Sequence, residues 1–266
     1  MSQSPKPVVL AAVAHPDDIE FLFSGTLLRL KEAGCKIHMW NLLDGSCGTM
    51  THSREEIIRI RSEEAARSAV LAGATMHPAV FPDLGVFYDR LSLAVVSAVV
   101  RSIRPQIILT HSASDYMEDH ENVCRLVTSA AFSRAMPNFS SKPECPPYKD
   151  PVRIYHAPPH GLRDGLGEMF RPDFLVDVAA TMATKNEMLD CHESQNAWLD
   201  GSQGMDTPSA EMERLCGAVA AWGDGLRFAE AWRRHSHLGF CAADFDPLIE
   251  LLPQFIQTPN PNPLLP

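Results

Sequence analysis

The sequence predicts an α/β fold in which a mostly parallel β-sheet carries helices on both faces. Strand-like and helix-like patterns alternate along the first half of the 266 residues. Strands separated by helices form right-handed βαβ units, whose strands lie parallel in one sheet. The first strand is a continuous apolar run from Val8 to Ala14, typical of a strand buried on both faces. Because 45% of the residues are hydrophobic, the chain can bury the core that such a sheet requires.

The elements follow one another in a regular order. Apolar residues at helical spacing over 19–33 predict the first helix, which ends at Gly34. Further strands are predicted over 36–43, 76–81 and 106–110, and further helices over 54–72, 91–103 and 120–135. If the strand order is 3-2-1-4, the first and fourth strands are neighbours. Ligands then bind beyond their carboxyl ends.

After Met136 the pattern becomes less regular. We predict a proline-rich surface excursion over 137–151, strands over 152–157 and 174–178, a helix over 180–191, and a loop over 196–207. One or two helices are predicted over 209–234, with a break at Gly223 and Gly225. We expect a single domain over residues 1–266, whose tail, 257–266, is irregular.

The composition excludes several functional classes. There are 23 Lys and Arg against 33 Asp and Glu, so this acidic chain is a poor candidate for nucleic-acid binding, which needs a basic face. Seven scattered cysteines without a CxxC pair argue against a disulfide framework and for a reducing cytosol. We find no signal peptide and no apolar run of ~18 residues, so we expect a cytoplasmic protein without a membrane span. The GxGxxG, GxxxxGK[ST] and GxSxG patterns are also absent, which disfavours dinucleotide binding and acyl transfer through a serine.

The strongest functional signal is His15-Pro16-Asp17-Asp18, directly after the first strand. An imidazole and a carboxylate at this edge can ligate a divalent metal, while a second carboxylate takes a proton from metal-bound water. The alternative is that Asp17 and Asp18 only cap the helix that follows. The motif alone does not decide between these roles.

The second signal covers residues 110–123, after the fourth strand, and contains His120. Catalytic zinc typically has three protein ligands and an open position, and His15, Asp18 and His120 supply that number from two converging loops. The alternative for His120 is a solvent-facing residue at the start of a helix, which the paired placement disfavours. Zinc is the expected metal, although His and Asp ligands also suit other divalent ions.

Together these residues resemble the LmbE-like/PIG-L family of metal-dependent N-deacetylases. The match is specific in AHPDD with the Gly-containing helix after it, and in the Asp-Tyr-x-x-Asp-His block over 115–120. It is weaker over 44–49, in Arg61-x-x-Glu64-Ala65 and over 185–195, so the resemblance covers residues 8–195.

The resemblance implies a Rossmann-like fold and N-acetylglucosamine-type substrates. It also implies that His15, Asp18 and His120 bind zinc and that Asp17 is the general base. Many members have a His at the position of Met117, where it helps to stabilise the oxyanion. A methionine neither donates a hydrogen bond nor carries charge. We therefore expect the metal alone, or another histidine, to take this role; we favour His192, and His160 and His111 are the alternatives.

Arg61 and Asp83 are candidates to bind sugar hydroxyls or a product carboxylate, because family members place similar residues at the pocket rim. It is equally consistent with the sequence that Arg61 and Glu64 only form a pair on the helix surface. Trp198, Trp222 and Trp232 could stack on a sugar ring, although core packing is the more usual role of a tryptophan.

The predicted function is removal of an acetyl group from a small-molecule N-acetylated sugar or glycoconjugate. One rival is hydrolysis of another amide, ester or phosphoester bond by the same metal. Another is a non-catalytic sugar-binding relative with a decayed site, which Met117 makes conceivable and an intact Asp17 argues against. The resemblance and the proline-rich tail favour a homo-oligomer.

Overall fold

Eight strands form one β-sheet in the computed structural model, which describes residues 6–195 and 207–260. They are β1 (Val8–Val13), β2 (Lys36–Asn41), β3 (Thr75–His77), β4 (Ile107–Thr110), β5 (Arg153–His156), β6 (Phe174–Asp177), β7 (Ala229–Arg234) and β8 (Ile256–Gln257). Their order in the sheet is β3-β2-β1-β4-β5-β7-β6-β8. The pairs from β3 to β5 are parallel, whereas β7, β6 and β8 pair antiparallel. The predicted α/β class and the order 3-2-1-4 are confirmed.

The helices connect these strands and cover the sheet. They are α1 (Asp18–Glu32), α2 (Arg54–Leu71), α3 (Arg90–Ile103), α4 (Glu118–Ser133), α5 (Met182–Asp190), α6 (Pro208–Ala220) and α7 (Pro247–Leu251). Short 3₁₀ turns lie at His160–Leu162, Ala179–Thr181 and Pro253–Phe255. No described helix has both the length and the apolar composition that crossing a bilayer requires.

The side chains of β1 show why its sequence is a continuous apolar run. Val9, Ala11 and Val13 belong to the core that packs under α1, on one face of the sheet. Leu10 and Ala12 belong to the core under α3 and α4, on the other face. Successive strand residues point to opposite faces, so a strand covered on both sides must be apolar at every position. Helices on both faces are thus confirmed.

Two predicted elements differ from the structure. The strand predicted over 76–81 is shorter in the structure, where it covers only Thr75–His77. It ends there because Pro78 has no N–H to donate to a neighbouring strand. Further on, Phe81 makes a single β-bridge to Leu43. The prediction of helix over 209–234 is wrong in its second part, where residues 229–234 form β7. The Ala, Glu and Arg residues there favour a helix intrinsically, but pairing with β5 and β6 overrides that preference.

The remaining predictions on the C-terminal half concern irregular segments. Residues 137–151 form neither helix nor strand. Most of the predicted loop over 196–207 lies outside the described residues, as does Trp198, and so do residues 261–266 of the predicted tail. At the start of that tail, Gln257 belongs to β8.

Helix α1 is kinked, and a buried ion pair supports the kink. Phe23 has a non-helical backbone (φ −155°, ψ 19°), so the turn that follows it has free N–H groups. Glu230 on β7 accepts from the backbone N–H of Gly25 at 2.9 Å and of Thr26 at 2.7 Å. Lys185 Nζ donates to the same carboxylate, and its side chain is fully buried. The first turn of α1, which follows His15, is thereby separated from the rest of the helix.

We expect Glu230→Ala to lower the free energy of unfolding by about 3–5 kcal/mol, because it leaves the Lys185 ammonium buried without its partner. Urea denaturation of the wild type and the variant measures the difference. The matched control is Glu63→Ala, which breaks an exposed pair with Arg59 (2.9 Å) and should cost less than about 1 kcal/mol. Equal losses in the two variants would contradict the assignment of a buried, supporting pair.

Candidate active site

The carboxyl ends of the parallel strands surround a pocket of about 320 Å³. Its wall contains every predicted site residue: His15, Asp17, Asp18, Arg61, Asp83, His120 and His192. These residues come from the loops and helices that follow β1, β2, β3 and β4, and from the segment after α5. The topology therefore brings together side chains that are far apart in the sequence.

His15, Asp18 and His120 each present one potential ligand atom, and these atoms lie within 4.8 Å of one another. Asp18 Oδ2 is 3.5 Å from His15 Nδ1 and 3.6 Å from His120 Nε2. Ligand atoms bound tetrahedrally to zinc lie about 3.3 Å apart, so little movement is needed to hold one ion. Among the described residues, the buried His120 Nε2 has no hydrogen-bond partner, which leaves its lone pair for a metal.

A carboxylate holds the other nitrogen of each of these imidazoles. Asp119 Oδ2 lies 3.2 Å from His15 Nε2, and Asp115 Oδ1 lies 3.1 Å from His120 Nδ1. Carboxylates in such positions fix the tautomer and the orientation of metal-binding histidines. The donor set and its supports therefore fit a divalent ion such as zinc.

His111, Asp115 and His120 form a second group of potential ligands. The backbone N–H of Ala14 donates to His111 Nε2 at 2.8 Å, so a neutral His111 carries its proton at Nδ1 and has no free lone pair for a metal. Asp115 Oδ1 pairs with His120 Nδ1. The His111 ring stacks on His120 with centroids 4.0 Å apart and planes 7° apart. Burial lowers the pKa of His111, so it packs behind His120 as a neutral ring.

Asp17 has a left-handed backbone (φ 112°, ψ −26°), which is strained for a residue with a Cβ. It precedes α1, but its side chain makes no capping hydrogen bond, while Asp18 Oδ2 accepts from the backbone N–H of His15 at 2.7 Å. Asp17 therefore does not cap α1 through its side chain. Burial raises the pKa of Asp17 to about 6, and the opposing effect of Arg61 is smaller. A pocket carboxylate with a pKa near neutrality is suited to proton transfer.

Arg61 points inward from α2 and is only 2% exposed. Its Nη2 donates to the carbonyl of Pro16 at 2.6 Å and lies 3.6 Å from Asp17 Oδ1. A Cβ at Gly45 or Gly48 would lie 2.5–2.6 Å from Arg61 atoms, so these glycines make room for the guanidinium. Glu64 accepts from Ser194 instead of pairing with Arg61, so the helix-surface alternative is wrong.

Asp83 orders the Gly-rich loop after β2. Its two carboxylate oxygens accept from the backbone N–H of Gly45 at 2.8 Å and of Cys47 at 2.9 Å. The neighbouring Asp44 accepts in turn from the backbone N–H of Asp83 at 3.2 Å. These hydrogen bonds connect the loop after β2 to the turn after β3 at the pocket wall.

His192 lies in the pocket wall against a buried carboxylate. Its Nε2 is 3.4 Å from Glu20 Oε2, and both side chains are fully buried. The other Glu20 oxygen accepts from Ser68 Oγ at 2.5 Å. Burial alone would lower the pKa of His192, but Glu20 raises it above its usual value. Glu20 therefore favours the protonated form of His192, which lines the pocket together with Asp17.

The other residues considered from the sequence have different positions. Met117 precedes α4 and His160 follows β5, and both line the pocket. Trp222 and Trp232 are fully buried in the core, so they do not stack on a ligand.

Residues 10–131 match the family model described as PIG-L: GlcNAc-PI de-N-acetylase. The chain contains a PIG-L (LmbE-like) domain. The resemblance predicted from the motifs at His15–Asp18 and Asp115–His120 is thus confirmed. Both motifs lie in the matched part of the PIG-L domain, on the neighbouring strand ends described above.

Two relatives of this chain are named for different activities. Diacetylchitobiose deacetylase of Thermococcus kodakarensis is 29% identical over 194 residues, which are 70% of this chain and 69% of the relative. 4-Oxalmesaconate hydratase of Pseudomonas putida is 24% identical over 203 residues, 72% of this chain and 75% of the relative. In structure, N,N'-diacetylchitobiose deacetylase of Pyrococcus horikoshii superimposes with a TM-score of 0.73 and 21% identity, covering 92% of this chain and 90% of that chain.

The sequence alone assigned no role to three carboxylates of this candidate site. Asp115 and Asp119 belong to the motif that contains His120. Their closeness to that histidine in the sequence was a signal that they could orient a metal-binding imidazole. Glu20 had a weaker signal, a charged residue within the apolar face of a helix.

Proposed function

We propose that this chain is a metal-dependent N-deacetylase that releases acetate from an N-acetylglucosamine-type sugar or conjugate. The observation that carries the proposal is the convergence of His15, Asp18 and His120 beside the Asp17 carboxylate, with no partner for His120 Nε2 in the described part of the chain. The deacetylase relative supports the choice of reaction. A cytosolic location, a single domain and a homo-oligomeric state stay predictions.

The residues have distinct roles in the proposed reaction. His15, Asp18 and His120 would hold the ion, zinc in our proposal. When bound, the ion supplies Lewis acidity, polarising the acetamide carbonyl and acidifying water. Asp17 accepts the proton of the attacking water as the new C–O bond forms. The same proton then passes from Asp17 to the amine nitrogen as the C–N bond breaks, which gives acetate and a free amine.

Arg61 and His192 stabilise negative charge in this reaction, on the Asp17 carboxylate and on the developing oxyanion. The Arg61 guanidinium, 3.6 Å from Asp17, keeps that carboxylate in place. A protonated His192 donates to the oxygen that becomes negative in the tetrahedral intermediate, the role that Met117 cannot fill. We keep Arg61 and Asp83 as substrate-binding candidates, because both line the pocket.

We expect His192→Ala to lower kcat by about 100- to 1,000-fold with the metal still bound, because one oxyanion donor is lost. Steady-state kinetics and elemental analysis measure the two quantities. Met117→Ala is the control and should have a smaller effect, since only packing is lost. Unchanged turnover in His192→Ala would reject this role and direct the same test to His160. Higher turnover in Met117→His would favour the partly decayed site.

A second candidate function is hydration of a carboxylated alkene, which the hydratase relative favours. Beyond the proposed ion and His192, a substrate with several carboxylates needs further cations, yet Arg61 is the one Lys or Arg among the described residues that line the pocket. Its guanidinium already donates to the carbonyls of Pro16 and Gly45. The pocket chemistry therefore favours an uncharged acetamide.

The deciding experiment measures acetate release from N-acetylated sugars and sugar conjugates by the zinc-loaded protein. Acetate from at least one of them supports the proposal. Conversion of 4-oxalmesaconate without acetate release from any sugar would favour the hydratase. Elemental analysis of the same sample addresses the phosphoester rival, because two ions per chain are typical of phosphoesterases and one ion suits the proposed site.

A further inference from the structure

Leu84 has an unusual backbone conformation beside the pocket. Its φ is 56°, in the left-handed region that residues with a Cβ rarely adopt. It follows Asp83 in the turn after β3, where the N–H of Gly85 donates to the carbonyl of Pro82 at 3.0 Å. Residues held in such conformations cluster at functional sites, where surrounding contacts fix them.

Contacts with the metal-site residues hold Leu84 in place. Its backbone N–H donates to Asp119 Oδ2 at 3.0 Å, the same oxygen that lies 3.2 Å from His15 Nε2. On the other side, Asp83 binds the backbone of Gly45 and Cys47. The turn is therefore fixed relative to the reacting centre.

The Leu84 side chain, which this turn carries, is apolar and exposed to solvent. Leu84 is 68% exposed although it lines the pocket. Tyr116, 49% exposed, lines the same pocket, and Met117 follows it. A ligand in the pocket that covered these side chains would remove apolar surface from water, which favours an apolar group on the ligand.

We propose that Leu84 is a specificity-determining residue that selects N-acetylated sugar conjugates carrying an aryl or alkyl group over the free sugars. The inference rests on the proposed deacetylase function and adds the substrate class. The polar part of the substrate binds near Asp17 and His120, and the apolar group covers Leu84. A second copy of this chain seated on Leu84 is the competing occupant, which the experiment below also detects.

The test compares kcat/KM for acetate release from phenyl N-acetyl-β-glucosaminide and from N-acetylglucosamine. Leu84→Asn removes the apolar surface, and Asn tolerates the left-handed backbone. We expect the ratio of the two kcat/KM values to fall about 10-fold in this variant. Leu84→Met should retain the ratio, because it keeps an apolar side chain.

The matched control is Leu91→Asn, because Leu91 is 70% exposed on α3 and does not line the pocket. Its ratio should equal that of the wild type. An unchanged ratio in Leu84→Asn overturns the inference, and so does an equal fall for both substrates. A change of molar mass in light scattering with an unchanged ratio would show that a second copy covers Leu84.

A binding measurement separates this inference from the proposed reaction. Calorimetry measures the dissociation constant of the amine product, phenyl β-glucosaminide, and so tests binding of the phenyl group at Leu84 without turnover. We expect Leu84→Asn to bind this product about 10-fold more weakly than the wild type does. If the wild type releases no acetate from these two substrates or from any other N-acetylated sugar or conjugate in the assay above, the proposed function fails. If it releases acetate and Leu84→Asn binds the product normally, the inference alone fails.

Discussion

Asp17→Asn should lower kcat for acetate release by about 100- to 10,000-fold while the metal stays bound, because an amide cannot accept the proton of the attacking water. Asn has nearly the same shape as Asp and also tolerates the left-handed backbone at this position (φ 112°). Asn caps a helix about as well as Asp does, so the loss of rate is not a capping effect.

Asp89→Asn is the matched control, because Asp89 precedes α3 and its carboxylate caps that helix by accepting from Ser92 N–H at 2.8 Å. We expect it to keep wild-type turnover. Stopped assays measure acetate, and elemental analysis measures the metal in both variants. Near-normal activity in Asp17→Asn would contradict the role of general base, and loss of metal would make Asp17 a ligand.

The convergence of the candidate metal ligands could be predicted because they lie in two short motifs that follow neighbouring strands. Once β1 and β4 are placed side by side, His15, Asp18 and His120 must converge at one edge of the sheet. The sequence pattern of β1 was enough to identify that strand as central and buried on both faces.

The contacts of the buried carboxylates Glu20 and Glu64 could not be predicted, because they depend on how distant segments pack. Glu20 binds Ser68, 48 positions away, and Glu64 binds Ser194, 130 positions away. Nothing in the local pattern around α1 indicates which partner will lie beside Glu20. The same limit explains the wrong prediction for β7, whose residues favour a helix until β5 and β6 pair with it.

Arg61 illustrates how small residues elsewhere decide the role of a large one. Its spacing from Glu64 is compatible with a surface pair, and the helix pattern alone does not distinguish that from an inward position. The decisive residues are Gly45 and Gly48, whose missing side chains leave the space that the guanidinium fills. An explanation of this kind needs the folded loop.

His120→Ala should abolish acetate release and remove the bound metal, because it deletes one of the three proposed ligands and the buried lone pair at Nε2. The measurements are elemental analysis after dialysis and kcat in the presence of added zinc. His160→Ala is the control, since His160 lines the same pocket but belongs to neither group of potential ligands. It should retain the metal.

Two further variants decide between the overlapping ligand groups, since His120 belongs to both. His15→Ala should lose the metal if His15, Asp18 and His120 hold it. His111→Ala should retain metal, because the His111 Nε2 lone pair already accepts from Ala14 N–H at 2.8 Å. The reverse result, metal retained without His15 and lost without His111, would move the site to the second group. Full occupancy in His120→Ala would reject both.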